Sequence, residues 1–196
     1  MNKKTISLIT IIGIIVISII WMISKYNGLV KKDEACTQQW SKVESQYQRR
    51  LDLIPNLVNT VKGYAEHEQE TFTQVIEARN QASQTKIDPN NMSQDAMDKF
   101  QQSQQTLKSS LDRLMVVVER YPDLKANQNF LELQSQLEGT ENRIAVERQR
   151  FADVVNAYNS TIRRFPTNLI AGMFSFERKA YFESEAGAEN APKVEF

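Results

Sequence analysis

Residues 40–65 read WSKVESQYQRRLDLIPNLVNTVKGYA. From Trp40 an apolar or small residue returns every three or four positions, at Val43, Tyr47, Leu51, Ile54, Val58, Val61 and Ala65. That spacing is one stripe of an α-helix, whose side chains realign after each turn. Steps of seven from Trp40 give Tyr47, Ile54 and Val61, then Glu68, Val75 and Ala82. A sevenfold repeat keeps one stripe against its neighbours in a bundle or coiled coil. Pro55 removes an intrahelical hydrogen bond and crowds the carbonyl one turn earlier, so a kink is expected. The phase does not reset there, and the spacing predicts one long, kinked helix to about Lys86.

On the N-terminal side, Ile6 to Ile23 reads ISLITIIGIIVISIIWMI, without a charge. Eighteen helical residues cover about 27 Å, close to the hydrocarbon thickness of a bilayer. Trp21 and Tyr26 stand where an interfacial aromatic belt forms. The following residues, Ser24 to Val30, contain no A-x-A cleavage site, which favours an uncleaved anchor over a signal peptide. Cys36 does not read as a lipidation site, because Lys31, Lys32, Asp33 and Glu34 precede it. A single-pass protein of the cell membrane follows, with the bilayer as partner through residues 6–23. Asn27-Gly28 either joins the anchor to the long helix or forms a short hinge. Lys25, Lys31, Lys32 and Lys42 outnumber Lys3 and Lys4, which leans the C-terminal domain toward the cytoplasm.

On the other side, Lys86-Ile87-Asp88-Pro89-Asn90-Asn91 is turn chemistry, and Ser93 suits a helix N-cap. A second helix then carries Met97, Phe100, Leu107, Leu111, Leu114 and Val118, ending at Tyr121-Pro122. A third carries Phe130, Leu133, Leu137, Ile144, Phe151, Val155, Tyr158, Ile162 and Phe165, closed by Pro166. The fold class is all-α: a single transmembrane helix followed by an antiparallel bundle of three to four long helices. The organisation is a short flank at 1–5, the anchor at 6–26, the bundle at 27–166, and at 167–196 a short packed helix with an extended or disordered end.

Lys+Arg 24 against Asp+Glu 24 gives zero net charge, without the uncompensated cations that nucleic-acid binding needs. Six Gly and five Pro are too few for the turns of a β-sandwich or barrel. One Cys excludes an internal disulfide and multi-Cys zinc sites. One His makes the His-rich di-iron centres of helical bundles a poor fit, and Glu66-His67-Glu68-Gln69-Glu70 reads as a solvated face beside the seam. Cys36 has no His or Arg beside it and reads as a small apolar residue one turn before Trp40. Neither a phosphate-binding Gly-rich loop nor a G-x-S-x-G elbow is present, so the sequence predicts neither catalysis nor a cofactor.

Four polar residues fall on the apolar seams: Glu68, Gln104, Glu141 and Arg148. A buried charge must pair, reach water or bind something. The sequence suggests a register-fixing pair, Glu68–Arg148 or Glu141–Arg148, or alternatively a small polar ligand pocket. Around Pro55, Arg49, Arg50, Asp52, Leu53, Pro55, Asn56 and Leu57 form a segment with apolar residues on more than one stripe. It suggests contact with two neighbours at once, within the bundle or across an interface with a protein partner or a second copy.

Several strings together resemble the LemA family. They are Arg49-Arg50-Leu51-Asp52-Leu53-Ile54-Pro55-Asn56-Leu57-Val58, Val61-Lys62-Gly63-Tyr64-Ala65, Ala78-Arg79, Tyr121-Pro122-Asp123-Leu124-Lys125-Ala126, Glu141-Asn142-Arg143-Ile144-Ala145, Tyr158-Asn159, Phe165-Pro166 and Ala191-Pro192-Lys193-Val194-Glu195-Phe196. The resemblance covers essentially the whole chain. The chain departs from it at Glu147-Arg148-Gln149-Arg150-Phe151-Ala152, where the family tends to have Ala-Arg-x-x-Tyr-Asn: the Arg and an aromatic ring stay, the hydroxyl and the Asn do not. The resemblance implies a membrane-anchored bundle of long helices with a short N-terminus outside and the bundle inside, no assigned catalytic or cofactor residues, and no established biochemical role. The expected function is a non-enzymatic membrane-tethered scaffold or adaptor; the alternative is a sensor that transmits a bundle rearrangement.

Overall fold

The computed structural model describes residues 3–89 and 91–182, and every regular element among them is helical. The tail expected to be extended or disordered lies largely outside the described residues. Helix α1 runs from Lys3 to Lys62, sixty residues without a break. At 1.5 Å per residue it is about 90 Å long. Asn27-Gly28 is continuous helix and no hinge. The apolar side chains of residues 6–20 are exposed along this rod.

The long helix ends at Lys62, well before Lys86, and this corrects the reading from periodicity. Residues 63–68 make a turn in which Tyr64 and Ala65 donate to the Val61 carbonyl at 3.0 Å. The chain then reverses into α2 (Gln69–Gln84), which lies back along α1. The turn happens to preserve the phase. Val61, Ala65, Phe72, Val75 and Ala82 are all buried, so the apolar spacing is the same for a straight helix and for a hairpin.

Ser93 caps α3 (Gln94–Val118) by accepting from the Ala96 amide, and α4 (Pro122–Lys125) is a single turn that buries Leu124. Asn127 caps α5 (Gln128–Arg163) by accepting from the Phe130 amide at 3.1 Å. α6 (Thr167–Met173) follows, then an extended strap over residues 174–182. Phe165, read as a seam residue, is 80% exposed: α5 stops at Arg163, and the helical phase has no meaning past its end.

Cross-contacts set the directions. Gln39 meets Glu147 and Arg50 meets Glu141, so α1 and α5 are antiparallel. Arg79 meets Leu51 and Arg113 meets Gln74, which makes α2 antiparallel to both α1 and α3. The result is an up-down-up-down bundle of α1, α2, α3 and α5. Its core falls into two clusters. The distal one joins Leu51, Ile54, Leu57 and Val61 of α1 to α2, to Leu107–Val118 of α3 and to Phe130 and Leu137 of α5. The proximal one, nearer the N-terminal apolar segment, gathers Leu29, Cys36, Trp40, Val43 and Tyr47 with Met97 and Phe100, with Ile144, Phe151, Val155 and Tyr158, and with α6.

Candidate functional site

Between the two clusters lies a polar layer built around Arg50. In sequence Arg50 falls between Tyr47 of the proximal core and Leu51 of the distal core, and only 3% of it is exposed. Its Nη1 donates to Glu141 Oε1 at 2.6 Å, and its Nη2 donates to Gln104 Oε1. The guanidinium carbon stands 5.2 Å from the Tyr47 ring centroid. Its Nε finds no hydrogen-bond partner among the described residues. Ser103 and Thr140, also buried, satisfy their hydroxyls on the helix carbonyls of Phe100 and Gln136. Burial holds the Tyr47 hydroxyl above its ordinary pKa against the lowering fields of Arg148 and Arg50, so it stays a neutral phenol.

The layer corrects the expected pairing. Neither Glu68–Arg148 nor Glu141–Arg148 forms the pair; Arg50, placed by sequence in an interface segment, takes both Glu141 and Gln104. The chain reversal after Lys62 carries Glu68 to the distal end, where it pairs with Arg120 at 3.0 Å and accepts from the Tyr121 hydroxyl at 3.4 Å. Glu141 and Arg148 lie seven residues apart on α5, about 10 Å along its axis. Arg148 instead lies over the Phe182 ring, 4.5 Å from its centroid, close enough to Tyr47 for its field to act on that hydroxyl.

The Pro55 segment is not one surface. Arg50 and Leu57 are buried, Leu53 and Pro55 are half-buried, and Arg49, Asp52 and Asn56 face outward. Asp52 accepts from Gln48 at 2.7 Å. Leu53 packs against the distal core, so the second apolar stripe of this segment is used inside the bundle.

Glu141 enters the layer from a solvent-open groove of about 460 Å³ between α3 and α5. Leu111, Met115 and Leu137 supply its apolar lining, and Lys108, Asp112 and Glu138 its charges. Glu141 keeps 40% side-chain exposure there. His67 and its acidic neighbours lie at the surface of the distal turn, with Glu68 half-buried, and among the described residues no group of three or more His, Cys, Asp or Glu could hold a metal. Cys36 is fully buried, and burial pushes its thiol up to about 11.

Sequence reasoning missed the strap. Asn159 of α5 holds it by donating to the Lys179 carbonyl at 2.9 Å and accepting from the Lys179 amide at 3.0 Å. The buried Lys179 ammonium pairs with Asp33 at 2.9 Å and donates to the Pro89 carbonyl at 3.0 Å. Phe182 then stacks on Trp40, with ring centroids 5.9 Å apart. The available signal was Asn159, a polar residue on the buried face of α5 next to Tyr158.

A family model described as the LemA family matches residues 39–196, most of the chain and nearly all of the bundle. The chain belongs to the LemA family. Among curated relatives, Protein LemA of Metamycoplasma hominis is 23% identical over 166 residues, covering 83% of this chain and 70% of that one. Magnetosome protein MamQ of Magnetospirillum gryphiswaldense is 27% identical over 184 residues, covering 85% and 68%. Magnetosome protein MamQ 2 of Paramagnetospirillum magneticum is 25% identical over 185 residues, covering 86% and 68%. This LemA-family chain is a membrane-associated helical protein, with one helix among the described residues long and apolar enough to cross a bilayer.

Proposed function

We propose that this protein is a non-enzymatic, single-pass membrane scaffold that holds a protein partner or a second copy against its bundle. The observation that carries this reading is α1 itself. One unbroken helix runs from the lipid-sized apolar segment into both cores, so the bundle is fixed to its anchor instead of hanging from a linker. The groove between α3 and α5 supplies the surface, since an apolar floor with charged rims is the form that receives an amphipathic helix. A photo-crosslinking residue at Asp112 or Asn142 in the full chain in cells tests it. Adducts at the groove that disappear in Met115→Arg, with unchanged melting, support the scaffold; absence of groove adducts overturns it.

A second reading, a sensor, is favoured by the Arg50 layer, where a buried guanidinium whose Nε has no hydrogen-bond partner among the described residues lies between two core clusters. A ligand or pH step that shifts bundle melting in wild type but not in Arg50→Met supports it; a melting temperature unmoved across a metabolite and metal panel overturns it. For the side of the membrane, the excess of Lys25, Lys31, Lys32 and Lys42 supports a cytoplasmic bundle. Ser109→Cys, on the exposed face of α3, is the better reporter for an impermeant maleimide, because the native Cys36 is buried.

A further inference from the structure

We infer that α6 lies on the bilayer surface as a second membrane contact beside the transmembrane helix. Leu169 and Met173, one turn apart on α6, are 61% and 67% exposed, while Thr167, Ile170 and Ala171 of the same helix are buried against the bundle. Phe165 just before the helix and Phe174 just after it are exposed as well, so four large apolar side chains sit together in one short stretch. Soluble proteins rarely leave such a cluster to water, and a cluster of this kind marks a membrane or partner surface.

The position of α6 along α1 selects the bilayer as the occupant. The Phe174 ring packs on Tyr26 with centroids 4.7 Å apart, and Phe176 packs on the same ring at 5.8 Å. Tyr26 is three residues past Ile23, about 4.5 Å along the helix from the end of the apolar span. The headgroup layer on each side of the hydrocarbon is about 5–7 Å deep. The apolar residues of α6 therefore stand at headgroup depth, continuous with the surface of the span. Trp21, with the Lys25 ammonium 5.8 Å from its ring centroid, and the exposed Arg163 and Arg164 next to Phe165 complete an interfacial composition of aromatic, aliphatic and cationic side chains. A lone span can rotate about its own axis. A second contact at the end of α5 fixes which face of the bundle the membrane sees.

This inference rests on residues 6–23 crossing the bilayer, and the experiment separates the two. The full chain is reconstituted in vesicles of equal parts phosphatidylcholine and phosphatidylglycerol. An environment-sensitive NBD label is placed at Leu169→Cys, at Ser18→Cys inside the span, or at Ser109→Cys on the exposed bundle face, with the unlabelled reactivity of Cys36 as background. Doxyl-labelled lipid is expected to quench positions 18 and 169 and to spare 109, with blue-shifted emission at 169. Quenching at 18 alone, with 169 behaving like 109, overturns the α6 contact and keeps the anchor. Quenching at neither position overturns the anchor and the α6 contact together.

Discussion

The guanidinium of Arg79 on α2 donates through Nε to the carbonyl oxygen of Leu51 on α1 at 2.8 Å. Leu51 is the residue four before Pro55, whose missing amide leaves that carbonyl without its helical donor. The arginine replaces the hydrogen bond that the proline removes, and it ties α2 to α1 at the same point. Two strings that are far apart in sequence, the one around Pro55 and Ala78-Arg79, are thus halves of one contact.

Arg79→Ala should destabilise the bundle by about 1–3 kcal/mol, the cost of an unsatisfied, partly buried carbonyl. In Pro55→Ala the residue-55 amide can serve Leu51, so the same arginine loss should cost less. Denaturant unfolding of the four proteins in micelles gives the coupling. Additive effects of the two substitutions would break the link between Pro55 and Arg79.

The Arg50 layer should respond asymmetrically. Arg50→Ala strips the partner from buried Gln104 and from Glu141 and leaves a cavity between the cores, a loss on the order of 3 kcal/mol. Glu141→Gln keeps the shape and an acceptor, and Glu141 is already 40% exposed, so solvent screening limits its cost to about 1 kcal/mol. Unfolding midpoints at equal slope test the ranking, and equal losses would mean that Arg50 is not the centre of the layer.

Much of this architecture was legible. Seam residues Trp40, Val43, Tyr47, Leu51, Ile54, Val58 and Val61 are buried, and Ser93 caps α3. The reversal after Lys62 was not, because a turn that returns Ala65 and Phe72 to the core leaves the apolar spacing unchanged. The partner of Glu141 was hidden for a related reason. Arg50 sits beside Leu51 in a string assigned by sequence to a contact segment and not to the polar seam, and its burial follows from the approach of α3 and α5, which no local pattern encodes. The strap is read least well of all, since Lys179 looks like a surface lysine until Asn159 and Asp33 are brought to it.

The Cys36 thiol, pushed up to about 11 by burial, should be almost entirely protonated at pH 8 and label slowly in the folded chain. Raised above its ordinary value of 9.0, it contributes stability that is whole below pH 9 and is lost as pH rises toward 11. That loss is on the order of 3 kcal/mol and should be missing from Cys36→Ala, so the two melting curves should converge or cross on the alkaline side. Fast maleimide labelling of the native protein at pH 8 would show that the thiol is not packed.

Asn159 should decide whether the strap stays down. Both of its amide atoms are spent on the Lys179 backbone, and Asn159→Ala leaves that buried N–H and carbonyl without partners. Lys179 should then lose its fixed approach to Asp33, and Phe182 its place on Trp40. Exposed Arg178 provides the reporter: trypsin should cut after it markedly faster in Asn159→Ala than in wild type, with the packing of α1 against α5 intact. Asn159→Asp keeps an acceptor for the Lys179 amide but loses the donor to its carbonyl, so its cleavage rate should fall between the two. Equal rates in all three proteins would mean that the strap is held by its other contacts, among them the Tyr158 hydroxyl on the Glu177 carbonyl, the Lys179–Asp33 pair and the Phe182 stacking.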